Sequence, residues 1–285
     1  MTAPILALVL FLAGEPATPR YDPDAFAALE RMQQATAGLR DYTMRLVKRE
    51  LRGSVLSPEE TIAIKWQRPQ RIYLHELLGP RDGQEVLYVP GWNKNRIRVH
   101  NGTFPDFTMN LNPYGSLAMA HSHHPVPEVS LVHLTDLVLD NVRRARAKDV
   151  GTLTVAGHET LFGRATVKLE ATAPPTGKTP TLEKGETLWD IAKATGQSMY
   201  VILHANRARK WHQADHPERG DSVIVPDYYA GRLVVWIDEE RQFPLQIDLY
   251  DHEGNLYEHY EHHDLKVNVG LTDADFDPKN PAYRF

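Results

Sequence analysis

Between Tyr42 and Leu111 the chain meets a turn signal every few residues, and no other feature constrains the fold as tightly. Arg52-Gly53, Pro58, Pro80-Arg81-Asp82-Gly83, Pro90-Gly91 and Asn101-Gly102 cut this stretch into segments too short for ordinary helices. Tyr42, Met44 and Leu46 alternate with polar neighbours, and apolar segments follow at 61–66, 71–78, 85–89, 96–100 and 107–111. Alternation with a period of two marks half-buried strands, so these residues are expected to form an antiparallel meander.

Two longer segments carry helical periodicity instead. Between Pro23 and Arg40, Ala25, Leu29, Met32 and Leu39 fall on one face; from about 128 to 148, Leu131, Leu134, Leu137, Val138 and Val142 do the same. Strand patterns resume at 152–156, 165–171, 233–238, 245–250 and 256–265, with a hairpin turn over 251–254. Many strands and two long helices predict an α+β fold, a curved antiparallel sheet wrapped around its helices.

Bulk properties narrow the function classes. A net charge of -5 gives no basis for general nucleic-acid binding, and the absence of cysteine removes disulfides, thiol nucleophiles and lipidation at a lipobox. Pro4 to Ala13 is an apolar run broken by Gly14-Glu15-Pro16-Ala17, which reads as the core of a secretory leader over residues 1–20. The run is short for a bilayer span, so no membrane-crossing segment is expected in the mature chain.

One stretch interrupts the strand pattern. Pro174-Pro175-Thr176-Gly177 leads into it and Asp227-Tyr228-Tyr229 leads out. Gly185 suits a positive φ at the end of a short strand, Thr187 an N-cap before Ile191 and Ala192, Gly196 a helix end, and Ser198 a cap before Val201, Ile202 and Ala205. Strand, two helices and strand are expected in under fifty residues. The run Thr181-Leu182-Glu183-Lys184-Gly185-Glu186-Thr187-Leu188-Trp189-Asp190-Ile191-Ala192 and the close Gly220-Asp221-Ser222-Val223-Ile224-Val225-Pro226 resemble the lysin motif, a module that grips N-acetylglucosamine chains. The resemblance implies a shallow groove with Gly185, Glu186, Thr187 and Leu188 on one side and Leu203 and Asn206 on the other. Arg207, Arg209, Lys210, Trp211 and His212 lie in a longer and more basic second loop than the motif usually has.

Outside that stretch, Gly83-Gln84-Glu85-Val86-Leu87-Tyr88-Val89, Leu111-Asn112-Pro113, His124-Pro125-Val126 and the run from Asp264 to Pro278 resemble an exported bacterial family classed only as a domain of unknown function. That family is similar in outline to the LolA and LolB lipoprotein carriers, which implies an incomplete β-barrel with a helical lid around an apolar cavity. Residues expected to line such a cavity are Trp66, Tyr73, Tyr88, Met109, Leu137, Trp236, Leu249 and Tyr257; the competing expectation is a core filled by its own side chains. His121, His123 and His124, and separately His259, His262 and His263 with Glu258, Glu261 and Asp264, have a metal-binding composition, but spacing alone assigns no ion to them. No nucleophile elbow, phosphate loop, zinc helix or dinucleotide turn is present.

The sequence therefore predicts a leader (1–20), a carrier-like barrel in two pieces (21–175 and 228–285) and a lysin-motif insert (176–227). The expected function is a non-enzymatic, exported envelope protein with peptidoglycan as a partner, lipid or lipoprotein acyl chains as a second ligand, and neither catalytic residues nor a cofactor. A scaffold with a filled core and a metal-dependent wall hydrolase are the alternatives.

Overall fold

A computed structural model describes residues 20–209, 211 and 217–285. The expected leader, Arg20 apart, lies outside the described residues, as do Lys210 and His212. Helix α1 (Pro23–Ala37) precedes the long strand β1 (Asp41–Arg52), its short hairpin arm β2 (Val55–Leu56) and the meander β3 (Glu60–Gln67), β4 (Arg71–Leu78), β5 (Glu85–Tyr88), β6 (Ile97–His100) and β7 (Thr108–Leu111). A short helix α2 (Ser116–Met119) and the long α3 (Leu131–Ala147) separate these from β8 (Thr152–Leu161) and β9 (Arg164–Thr172). The interrupting stretch holds β10 (Gly177–Lys178), α4 (Leu188–Thr195), α5 (Met199–Ala205) and β11 (Val225–Pro226), after which β12 (Arg232–Asp238), β13 (Pro244–Tyr250) and β14 (Leu256–Val267) complete the body.

All strands but β10 and β11 join one antiparallel sheet in the order β7-β6-β5-β4-β3-β1-β14-β13-β12-β9-β8, with β2 attached to the end of β1. The fold is α+β with a large open sheet and few helices, as the alternating pattern predicts. Among the described residues no helix is long and apolar enough to cross a membrane.

Both long helices start where local chemistry dictates. Asp22 caps α1 by accepting from the Asp24 and Ala25 amides, with Pro23 at the first helical position. Ser130 caps α3 through the His133 amide at 3.1 Å, which sets its start at Leu131 rather than at the expected 128; residues Val126–Glu128 form a 3-10 turn instead. The helices lie against each other, with the Thr36 and Thr135 hydroxyls 2.7 Å apart. Leu29 and Met32 of α1 and Leu131, Val138, Leu139 and Val142 of α3 are buried in one core with the sheet. Each such side chain stabilises the fold by roughly 1.5–3 kcal/mol.

The interrupting stretch is the expected strand-helix-helix-strand unit, although its strands are brief: β10 pairs β11, and Thr181 meets Ser222 in a single bridge. It has its own core of Leu182, Leu188, Ile191, Met199, Ile202, Val223 and Val225. The flanking strands β9 and β12 are neighbours, Thr172 pairing with Arg232. Val201 nevertheless belongs to the core of the body, so the unit is packed onto the sheet rather than merely tethered to it.

Candidate functional site

Strand register builds a graded surface on the inner face of the sheet. One row runs across six strands, Met44 opposite Ile64, then Leu74, Val86, Val99 and Met109 in turn. All six line a cavity of about 380 Å³, closed on the other side by Leu117 and Ala118 of α2, by Val126 and Val129 of the connection to α3, and by Leu131 and Leu134 of α3. The next row is mixed, His262 opposite Leu46, Ile62 and Glu76. Beyond it come Tyr260, Lys48 and Glu60, then Glu258 and Glu50. Polarity therefore rises from row to row along the strands, and the cavity has one apolar and one ionic end.

The ionic end is almost fully paired. Lys48 Nζ lies 3.1 Å from Glu50 and 3.8 Å from Glu60, while Arg81 lies 2.6 Å from Glu60 and 3.0 Å from Glu76. Glu50 also accepts from the Tyr260 hydroxyl at 2.9 Å and the His123 amide at 3.2 Å. Burial alone would raise the Glu50 pKa, but Lys48 and His123 bring it down to about 2. Glu258 accepts from the Tyr229 hydroxyl at 2.6 Å and faces His123 Nδ1 at 2.8 Å. Against the effect of burial, His124 and His123 hold its carboxyl well below the usual carboxylate range. Carboxylates locked in the ionised form in this way are poor proton acceptors, whereas burial raises the pKa of Glu76, the carboxylate that Arg81 pairs at the same end.

Behind the cavity, His124, Glu128 and His133 converge, with one donor atom of each within 4.8 Å of the others. Burial and the nearby His124 push the His133 pKa down to about 4, whereas burial raises that of Glu128. Among the described residues, Glu258 is the member of the second histidine strip that pairs with the first: His259 pairs with Asp248 at 2.6 Å, His263 with Glu261 at 2.7 Å, and His262 with the Pro244 carbonyl at 3.1 Å.

The expected cavity lining is largely redistributed. Met109 is in the apolar row. Trp66 and Tyr88 are one row away, where Trp66 is filled in against Tyr42 with ring centroids 5.2 Å apart. Leu249 is core. Tyr73 faces the other side, under Phe276, Tyr283 and Phe285. Trp236 bonds to Glu159 through Nε1, with Lys168 4.6 Å over its ring. Leu137 faces a cleft between α3 and the insert. The other members of the apolar row, Met44, Ile64, Leu74, Val86 and Val99, are aliphatic residues whose alignment is set by strand register, which their own segments do not display.

Tyr257 lines a second cleft, about 890 Å³, between insert and body, together with Tyr114, Trp189, Tyr200, Leu203 and Trp211. Of the residues expected in a sugar groove, Thr187 and Leu203 line this cleft and Gly185 lies exposed with φ +82°. Glu186 is half-buried and accepts from the Glu183 amide at 3.0 Å. Leu188 and Asn206 are turned inward. Leu188 is core, and Asn206 bridges α5 to residue 224 through the Ile202 and Ile224 carbonyls and the Ile224 amide. Thr187 and Asp190 form a reciprocal capping box.

A family model described as a protein of unknown function (DUF1571) matches residues 39–195 and 204–285. No curated protein matches the chain. Similar solved structures include the lipoprotein LppX of Mycobacterium tuberculosis, at 14% identity and TM-score 0.45, covering 90% of this chain and all of that one. A DUF1329 family protein of Desulfovibrio piger is 12% identical with TM-score 0.38, covering 89% and 96%. A LolA superfamily protein of Nitrosomonas europaea is 9% identical with TM-score 0.33, covering 89% and 97%.

Proposed function

The chain belongs to the DUF1571 family of proteins of unknown function, and we propose that it is a non-enzymatic carrier of the cell envelope that holds an acyl chain in its sheet cavity and peptidoglycan through its insert. The six-strand apolar row carries this reading. Met44, Ile64, Leu74, Val86, Val99 and Met109 offer a continuous apolar wall, and the cavity volume of about 380 Å³ lies within the ~300–1,000 Å³ common for small-molecule sites. Each methylene sheltered there contributes roughly 0.8 kcal/mol. The paired charges of Lys48, Arg81 and Glu76 make the other end of the cavity polar, so a lipid or the acylated end of a lipoprotein, with its headgroup there, fits the gradient.

Peptidoglycan binding rests on the insert. Its strand-helix-helix-strand order, its capping box and the exposed left-handed Gly185 fit the lysin-motif pattern, and the aromatic cleft beside Thr187 and Leu203 gives sugar rings faces to stack on. Such a glycan lies outside the cytoplasm, in keeping with the apolar leader-like run near the N-terminus. The test is binding of a fluorescent fatty acid by the protein and by Val99→Trp, which fills the apolar row. Saturable binding that phospholipid displaces and that Val99→Trp abolishes supports the carrier; absence of binding to the parent protein removes it.

A further inference from the structure

The convergence of His124, Glu128 and His133 has no part in the carrier reading, yet it has the chemistry of a ligand set. The three residues come from separate pieces of local structure: His124 from the loop after α2, Glu128 from the end of the 3-10 turn, and His133 from the first turn of α3, where the Ser130 cap fixes its amide. His133 Nε2 lies 3.7 Å from Glu128 Oε2, and the two imidazole rings are 5.9 Å apart and nearly perpendicular. Among the described residues His133 hydrogen-bonds through its backbone amide, to Ser130, and not through either ring nitrogen.

The His124 ring is held from behind. Its Nε2 lies 3.3 Å from the Tyr229 hydroxyl and 3.5 Å from Glu258 Oε2, and that oxygen is buried without a hydrogen-bond partner among the described residues. A buried carboxylate set against an imidazole in this way is how metal-ligating histidines are commonly oriented. Access exists as well: His124 is about one-tenth exposed, but the Glu128 and His133 side chains are each 36% exposed. All three border both the cavity and the cleft between α3 and the insert.

We propose that His124, Glu128 and His133 bind one divalent transition-metal cation of the zinc type. Two imidazoles and one carboxylate suit such borderline ions, whereas magnesium and calcium favour all-oxygen sets. Three protein donors leave a fourth position for water, as in open zinc sites. Glu258 acts as a positioning residue for His124. The ion also ties the α2–α3 connection, which covers the cavity, to the first turn of α3.

The test uses the full chain, stripped with a chelator and titrated with zinc(II) by calorimetry and with cobalt(II) followed by visible absorption. One ion per chain is expected, with a cobalt spectrum of low coordination number. His133→Ala and Glu128→Gln, both at half-exposed positions, should each weaken binding at least about tenfold, the loss typical even of outer partners of a metal site. A His259→Ala/His263→Ala double variant on the far strip should bind as the parent does. Circular dichroism confirms that each variant is folded. The proposal is overturned if the parent takes up no ion, if His133→Ala and Glu128→Gln keep the parent affinity, or if only the far-strip variant loses it.

Discussion

Glu50 and Glu258 stand directly opposite each other across the β1–β14 ladder, and both are almost wholly excluded from solvent. Like charges in this relation ordinarily repel and destabilise a sheet. Here His123 bridges them, giving its amide to Glu50 and setting its ring against Glu258, while Lys48, Tyr260 and Tyr229 complete the set. The loop that covers the cavity is thus fastened to two buried carboxylates.

Removing one member should cost far more than replacing a pair. Glu50→Leu leaves Lys48 buried with Glu60 3.8 Å away as its remaining carboxylate, and a loss of about 3–5 kcal/mol in urea unfolding is expected. Lys48→Met/Glu50→Leu should recover much of that loss. A double variant as unstable as the sum of the two single ones would contradict this account.

His262 should make the protein acid-sensitive. It is 3% exposed, its Nδ1 contacts the Pro244 carbonyl at 3.1 Å, and burial pushes its pKa down to about 4 from an ordinary 6.5. The unfolded chain then takes up a proton that the folded state refuses. The contribution to stability is full above the ordinary value and is lost as pH falls from 6.5 towards 4, on the order of 3 kcal/mol. His262→Gln should flatten the decline of stability between pH 7 and pH 4. Parallel pH curves for parent and variant would rule out His262 as the source.

Register rather than side-chain size should decide which substitutions affect probe binding. Met109→Lys places a charge in the apolar row and is expected to weaken fatty-acid binding at least tenfold. Trp236→Phe, outside the cavity, is expected to leave binding unchanged. Equal sensitivity at both positions would place the ligand elsewhere.

Replacing residues 179–226 with a short linker should abolish co-sedimentation with purified peptidoglycan and leave a cooperative thermal transition, because Thr172 and Arg232 stay paired. The midpoint should fall by roughly 5 °C, since Val201 leaves the body core and the hydrogen bond from the Tyr200 hydroxyl to Met119 is lost. Undiminished sedimentation would count against glycan binding by the insert; loss of the cooperative transition would make the insert part of the folding unit.

The meander was legible because its boundaries are set by local turn chemistry at Gly53, Gly83, Gly91 and Gly102, each with positive φ. β1 runs on past Leu46 to Arg52, and there the pattern deceives: Lys48 and Glu50 continue the inward phase of Met44 and Leu46, yet as charged residues they read as surface. β8 extends beyond 156 through an irregularity between Val155 and Gly157, where Gly157 has φ +153°. Met109 was identifiable as inward-facing from its own strand. Its alignment with Val99, Val86, Leu74, Ile64 and Met44 depends on five cross-strand registers, which no single segment encodes. The meeting of His123 with Glu258 is likewise a product of topology, since 135 residues separate them.

The pairing of β1 with β14 also orders events in time. Arg45 and Asp264, 219 residues apart, meet in the middle of the sheet, so strands β1 to β7 on one side and β8, β9, β12 and β13 on the other are not joined strand to strand until β14 arrives. Closure over so long a span is entropically costly and slow. What arrives late is the ionic end: Glu258 and Tyr260 of β14 reach Glu50 and Lys48 only at that closure, whereas the α2–α3 connection and α3, which cover the apolar row, directly follow β7 in the chain.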